Sequence, residues 1–356
     1  MDGTNPAETI LMLRRITKNA AALAFCLIPW AAHANELDGR LLGAMWSLPF
    51  VGLLLSIALM PLLLPKLWHG NDGKFATLWS LAFVLPFAYS SGVSAAGTVL
   101  WHVMVSDYLP FIILVSTLYV VAGGIFVRGN MRGTPGHNLG LLAIGAALAS
   151  VLGTTGASVL MVRPMIRGND NRPRSAHVFV FFIFIVANAG GALTPLGDPP
   201  LFLGFLKGVE FTWTLKHLWS QTLFLLVCLL AIFWCVDSYF YRKDGIIKRD
   251  PTPDARLSID GRINIILLAV VLLLVLISGI WKTALAWELG GASIGAPQVL
   301  RDGGLLLVML LSIKLTAQSV REDNQFSWGP MQEVARLFEG IFVTMIPVLA
   351  MLKAGS

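Results

Sequence analysis

Long apolar blocks, separated by short segments that hold most of the Lys and Arg, constrain this chain more than any other feature. Blocks near 41–64, 75–98, 106–127, 176–208, 217–239, 263–281, 302–318 and 331–351 stand out. An α-helix needs roughly 20 mostly apolar residues to cross the hydrocarbon of a bilayer, and these blocks are about that long. The expected fold class is therefore an all-α polytopic membrane protein with the lipid bilayer as its first partner. Composition agrees: 56% of the 356 residues are hydrophobic and 13% are Asp, Glu, Lys or Arg, against about a quarter charged in soluble domains. The net charge of +6 does not point to nucleic acid. The basic residues lie in short loops between apolar blocks, the positive-inside pattern. Of the three cysteines, Cys228 and Cys235 sit seven apart in one block and read as small core residues. No Cys/His cluster has metal-ligand spacing, so no resident metal is expected.

Residues 1–34 read as a signal peptide, with Arg14, Arg15 and Lys18, an apolar run Ala20–Trp30, and Ala32-His33-Ala34 as the cleavage site. An uncleaved first helix is the alternative. Beyond it the chain divides into a first transmembrane repeat (35–240), a basic loop (241–262) and the start of a second repeat (263–356).

Loop charges give orientation. Segments 65–74, 128–137, 163–174 and 241–262 carry Lys and Arg and are expected on the cytoplasmic side of a bacterial inner membrane, whereas 99–105 carries none and 282–300 only Lys282. The block 138–162 then has Arg128 and Arg132 before it and Arg163, Arg167, Arg172 and Arg174 after it. Both flanks on one side exclude a single crossing. A re-entrant hairpin turning at 153–158 is expected, and such backbone survives at membrane depth only when it is buried in protein or lines a wet cavity.

Gly124-Ile125-Phe126-Val127 recurs as Gly340-Ile341-Phe342-Val343, 216 residues later, and the loop charges give the two copies opposite directions. Inverted repeats are common in secondary transporters. On that offset a second hairpin tip and a second broken helix would fall beyond Ser356, so the second repeat is expected to be truncated.

The most informative stretch is Asn188-Ala189-Gly190-Gly191-Ala192-Leu193-Thr194-Pro195-Leu196-Gly197-Asp198-Pro199-Pro200, in the middle of block 176–208. Its three prolines and three glycines cannot continue a helix. The break frees backbone carbonyls and amides near mid-membrane, and a bound ion is the expected partner for them. Asp198 lies in the break, where a carboxylate costs roughly 2.5–3.5 kcal/mol. It reads as an ion site around which Asn188, Thr194 and Gly197 gather, with Thr154, Thr155 and Ser158 of the hairpin tip opposite. Two alternatives stay open: Asp198 as a cap of the half-helix starting at Pro199-Pro200, and tip hydroxyls bonded only within their own turn. Elsewhere, Asp107 is expected to face water, and Asp237 to pair at the interface beside Tyr239, Tyr241 and Arg242. Glu339 is a candidate second-site residue. His102, His137, His177 and His217 read as solvated groups at span ends.

The run Gly190 to Pro200 resembles the broken-helix signature of the ion transporter superfamily. That group includes CitM-type citrate transporters, NhaD-type sodium/proton antiporters, ArsB-type arsenite pumps and divalent-anion/sodium symporters. Leu201 to Val209 is similar to a bacterial branch of citrate transporters and sodium:proton antiporters. The resemblance covers about 41–351 and implies inverted repeats, each with a re-entrant hairpin and a broken helix, in a homodimer. The tip Thr154-Thr155-Gly156-Ala157-Ser158 departs from the Ser-Asn-Thr of dicarboxylate symporters, and the acidic Asp198 is similar to the NhaD type. An anionic side chain favours a cation or proton, so sodium/proton antiport ranks above citrate or carboxylate transport, with Na+ and H+ as the coupling ions and no cofactor. A membrane-embedded enzyme is the more distant reading: no H-E-x-x-H occurs, only Asp198 lies deep in the first half, and no Walker motif is present.

Overall fold

The computed structural model describes residues 39–129, 133–245, 258–281, 283–290 and 292–355. The segment read as a signal peptide lies outside them. Eight helices among the described residues are long and apolar enough to cross a membrane. In chain order the elements are α1 (Leu48–Leu63), α2 (Asp72–Ser91), α3 (Val93–Val103), a π-helical turn (Met104–Tyr108), α4 (Leu109–Ala122), β1 (Phe126–Arg128) and α5 (Pro135–Gly168). Then follow α6 (Ala176–Ile185), α7 (Pro199–Leu206), α8 (Trp213–Asp244), β2 (Ser258–Asp260) and α9 (Ile263–Ile280). β3 (Ala286–Leu289), β4 (Ala292–Gly295), α10 (Ala296–Leu315), α11 (Gln318–Asp323) and α12 (Gly329–Ala354) complete the chain.

Two compact units share these elements. One takes in the chain up to Tyr108, Ala286–Ile294 and the chain from Gln332; the other holds Leu109–Leu285 and Gly295–Met331. In the first, Phe83, Phe87, Ala96, Val343 and Ile346 form the core, with Trp46 edge-on to both phenylalanines. Arg336 donates to buried Asp72 at 2.8 Å. In the second, α5, α6 and Phe233 of α8 enclose a core rich in small residues, among them Ala146, Ala149 and Ala157. Small side chains let membrane helices approach closely. The far side of α8 exposes Leu223, Phe224, Val227 and Ile232, an apolar surface that a lipid-facing helix requires.

Several expectations are corrected. Segment 99–105 is no loop: Val93–Ala122 is one helix through the π-turn, and the chain turns instead at Gly92, with φ 90°. No Gly or Pro lies in 99–105 to stop the helix. Two short ribbons were not foreseen: β1 pairs antiparallel with β2, and β3 is hydrogen-bonded to β4 in a separate two-stranded sheet. The first joins the exit of α4 to the approach of α9 and is pinned by Arg128 reaching Asp260. The tetrapeptide repeat does not hold as structure. Gly124–Val127 leads from α4 into β1, whereas Gly340–Val343 lies inside α12. Cys228 is only partly buried and Cys235 is exposed, so neither is a core residue.

Candidate functional site

The site begins with a helix that doubles back. A straight helix over the 34 residues of α5 would be about 51 Å long at 1.5 Å per residue. Its ends nevertheless meet: Asn138 and Asn169 exchange side-chain amide bonds at 2.9 Å each. The reversal falls on Gly153, whose φ of 75° and ψ of 155° suit a residue without Cβ. A Cβ there would also come within 3.0 Å of the Leu196 carbonyl oxygen. Thr134 caps the first arm by accepting from the His137 amide, and Pro135 occupies the first turn.

The Gly/Pro run breaks the next block as its composition requires. α6 ends at Ile185, a 3-10 turn covers Ala189–Leu193, and α7 starts at Pro199. Three of the freed carbonyls are bonded within the protein, which corrects the expectation of an ion as the partner for these three. Gly190 O accepts from Ser150 Oγ at 2.6 Å, Leu193 O from Thr214 Oγ1 at 2.9 Å, and Gly197 O from the Thr154 amide at 2.9 Å. Thr194 Oγ1 donates in turn to the Ser150 carbonyl. Within the break Gly191 and Gly197 touch; a Cβ on Gly197 would lie 2.0 Å from the Gly191 oxygen.

Hairpin tip, break, α4 and α7 enclose a cavity of about 20 Å³. Its polar lining comes from Thr154, Thr155 and Asp198, with Gly153, Gly156 and Gly197 between them; Phe111, Leu114 and Phe202 form apolar walls. One water needs about 10–15 Å³ by this measure, while pockets for multi-atom ligands run to about 300–1,000 Å³. The cavity therefore suits a single ion or water. Asp198 occupies the N-cap position of α7, yet its side chain makes no capping bond. Its carboxylate has no hydrogen-bond or ion-pair partner among the described residues. The second arm of α5 and α7 both begin at this cavity.

Other expected residues lie elsewhere. Asn188 is exposed and bonds back to the Ile183 carbonyl at 2.8 Å, away from the cavity. Ser158 is one turn beyond the tip, its hydroxyl buried without a partner among the described residues. Thr194 stitches the break and does not line the cavity. Asp107, expected in water, is 4% exposed within the π-turn. Asp237, expected at the interface, is fully buried and bonds Arg172, His177 and Asn138 instead. His177 is thereby taken out of the solvated set. Glu339 lies on α12 near Tyr108, outside the unit that holds the cavity. Arg301 went unnoticed because the span was expected to start at 302. α10 begins at Ala296, which puts Arg301 in its second turn, buried. Pro297 after Gly295 was the available signal for that earlier start.

A family model described as "Putative citrate transport" matches residues 39–356. No curated protein and no solved structure matches the chain. The match covers nearly all of the chain beyond its first 38 residues, including the hairpin, the broken helix and the eight membrane-length helices. The chain is thus a multi-pass membrane protein that belongs to the putative citrate transport family, within the ion transporter superfamily.

Proposed function

We propose that this chain is a secondary active transporter of a bacterial inner membrane that exchanges sodium for protons at Asp198. One observation carries the reading: an unpaired carboxylate lines a cavity of about 20 Å³ where the hairpin tip meets the broken helix. A carboxylate in such a place is neutralised by a proton or by a cation. The space admits one occupant, so the two compete, and competition for a single carboxylate is the elementary step of exchange. Thr154 and Thr155 add oxygen ligands from the tip. Moving one charge across 100 mV is worth about 2.3 kcal/mol, enough to drive exchange of unequal stoichiometry. A second reading, cation-coupled transport of citrate or another carboxylate, has the family description in its favour.

The test uses everted membrane vesicles carrying the wild-type protein or Asp198→Asn. The variant should lose sodium-dependent proton flux while its expression and insertion stay near wild type. Wild-type flux in the variant would remove Asp198 from the coupling step. Citrate uptake by wild-type vesicles without cation-dependent proton flux would favour the second reading.

A further inference from the structure

Arg301 of α10 is 2% exposed, yet its guanidinium is only partly engaged. Nε donates to the adjacent Asp302 at 2.7 Å, while Nη2 is buried with no hydrogen-bond partner among the described residues. The guanidinium carbon lies 5.7 Å from the centre of the Phe202 ring, and that ring is a wall of the Asp198 cavity. α10 runs alongside α4 in the same direction: Thr117 Oγ1 donates to Leu305 O, and further on Ser312 Oγ donates to Val120 O. Arg301 stands one turn before Leu305, near the turn of α4 that carries the cavity residue Leu114. One phenyl ring thus lies against the Arg301 guanidinium, which has a free donor, and lines the cavity that holds the Asp198 carboxylate, which has no partner among the described residues.

A charged side chain inside a membrane segment is retained for a partner or a function. Asp302 balances the charge of Arg301 but takes one of five N–H donors. A planar fork with an open edge matches a carboxylate, which accepts two parallel N–H bonds. We propose that Arg301 is an anion-binding residue whose ligand is a carboxylate, held on the α10 side of Phe202 while a cation occupies Asp198. The cavity at Asp198 is too small for a multi-atom anion, so the two ligands take different places. A cation at Asp198 raises the affinity of the anion beyond the ring by direct attraction. The inference takes up the carboxylate reading and does not depend on proton exchange at Asp198.

Thermal stability of the purified 356-residue chain in detergent, with sodium and citrate as probes, tests it. Citrate in sodium buffer should raise the melting midpoint of the wild type. Arg301→Gln should abolish the citrate shift. Arg301→Lys keeps the charge, and the fold with it, but loses the planar fork; it should weaken citrate binding about 10- to 100-fold. Both variants should keep the sodium-induced shift, which Asp198→Asn removes. Asp302→Asn frees a donor on Arg301 and should retain or strengthen citrate binding; loss of citrate binding in that variant would make Arg301 a structural partner of Asp302 only. A citrate shift in Arg301→Gln or a citrate affinity in Arg301→Lys equal to wild type overturns the assignment. So does a wild type that responds to sodium and to neither citrate nor succinate, an outcome that leaves the Asp198 site standing.

Discussion

The polar cluster at the base of the hairpin should dominate the stability of its unit, and a double-mutant cycle on Arg172 and Asp237 can measure it. Both side chains are fully buried, and they meet at 2.6 Å. The Asp237 carboxylate also accepts from His177 Nε2 at 2.8 Å and Asn138 Nδ2 at 3.1 Å. Arg172 Nη1 reaches the Gly133 carbonyl at 3.0 Å and Asn169 Oδ1 at 3.2 Å. One ion pair therefore ties α8 to both feet of the hairpin and to the first turn of α6. Asp237→Leu leaves a buried guanidinium without a counter-charge, a situation that costs about 3–5 kcal/mol. Arg172→Met strands the carboxylate at a similar cost. The double variant Arg172→Met/Asp237→Leu removes both charges and should cost at least about 2 kcal/mol less than the two single costs added together. Larger domains shift by about 2–4 °C per kcal/mol. Each single variant should then lower the midpoint by roughly 6–20 °C in heated, detergent-solubilised samples scored by gel filtration. Single variants within about 2 °C of wild type, or a double variant equal to the sum of the singles, would show that the pair does not hold the hairpin.

Two further outcomes follow from the site's geometry. In a background without native cysteines, single cysteines at Gly136 and Asp170, both exposed at the feet of α5, should react with impermeant thiol reagents from the cytoplasmic side only; reaction from opposite sides would make α5 an ordinary crossing. Gly197→Ala places a Cβ 2.0 Å from a backbone oxygen and should destabilise by about 3 kcal/mol or more, whereas Gly140→Ala, with nothing within 4 Å, should be neutral or stabilise by up to about 1 kcal/mol; similar melting midpoints for the two would refute the tight crossing inside the break.

The membrane class, the hairpin and the break were legible because each depends on local chemistry. Apolar length gives spans, Arg on both flanks of 138–162 demands a return, and Pro with Gly forbids a helix through 188–200. Side-chain pairings across long stretches of chain were not legible. Asp237 finds Arg172, 65 residues away, and not the neighbouring Arg242. Nothing local marks that choice; it follows from the hairpin bringing residues 133 and 169 beside α8. Asp107 was misplaced because a π-turn carries the helix through 104–108, where no breaker announces a change. Of the expected site, Asp198, Thr154, Thr155 and Gly197 line one cavity, while Asn188 is drawn off by the end of its own helix. Spacing along the chain does not say which way a residue beside a break will turn.

The stitching of the break bears on how the site would work. If an ion were the main partner of the freed carbonyls, its departure would leave them unsatisfied, at about 1–3 kcal/mol for each buried group, and the break would rearrange in every cycle. Here the hydroxyls of Ser150 and Thr214 and the amide of Thr154 hold Gly190 O, Leu193 O and Gly197 O. Those three carbonyls are held by the protein's own donors, and in the proposed exchange the group for a ligand to neutralise is the Asp198 carboxylate. Exchange of one monovalent cation for another then changes little but the occupant, which keeps reorganisation at the site small. The same reasoning gives Ser150 a role that its position inside α5 does not suggest. Its hydroxyl and its carbonyl both bond the break, so it positions the tip against Asp198 without lining the cavity.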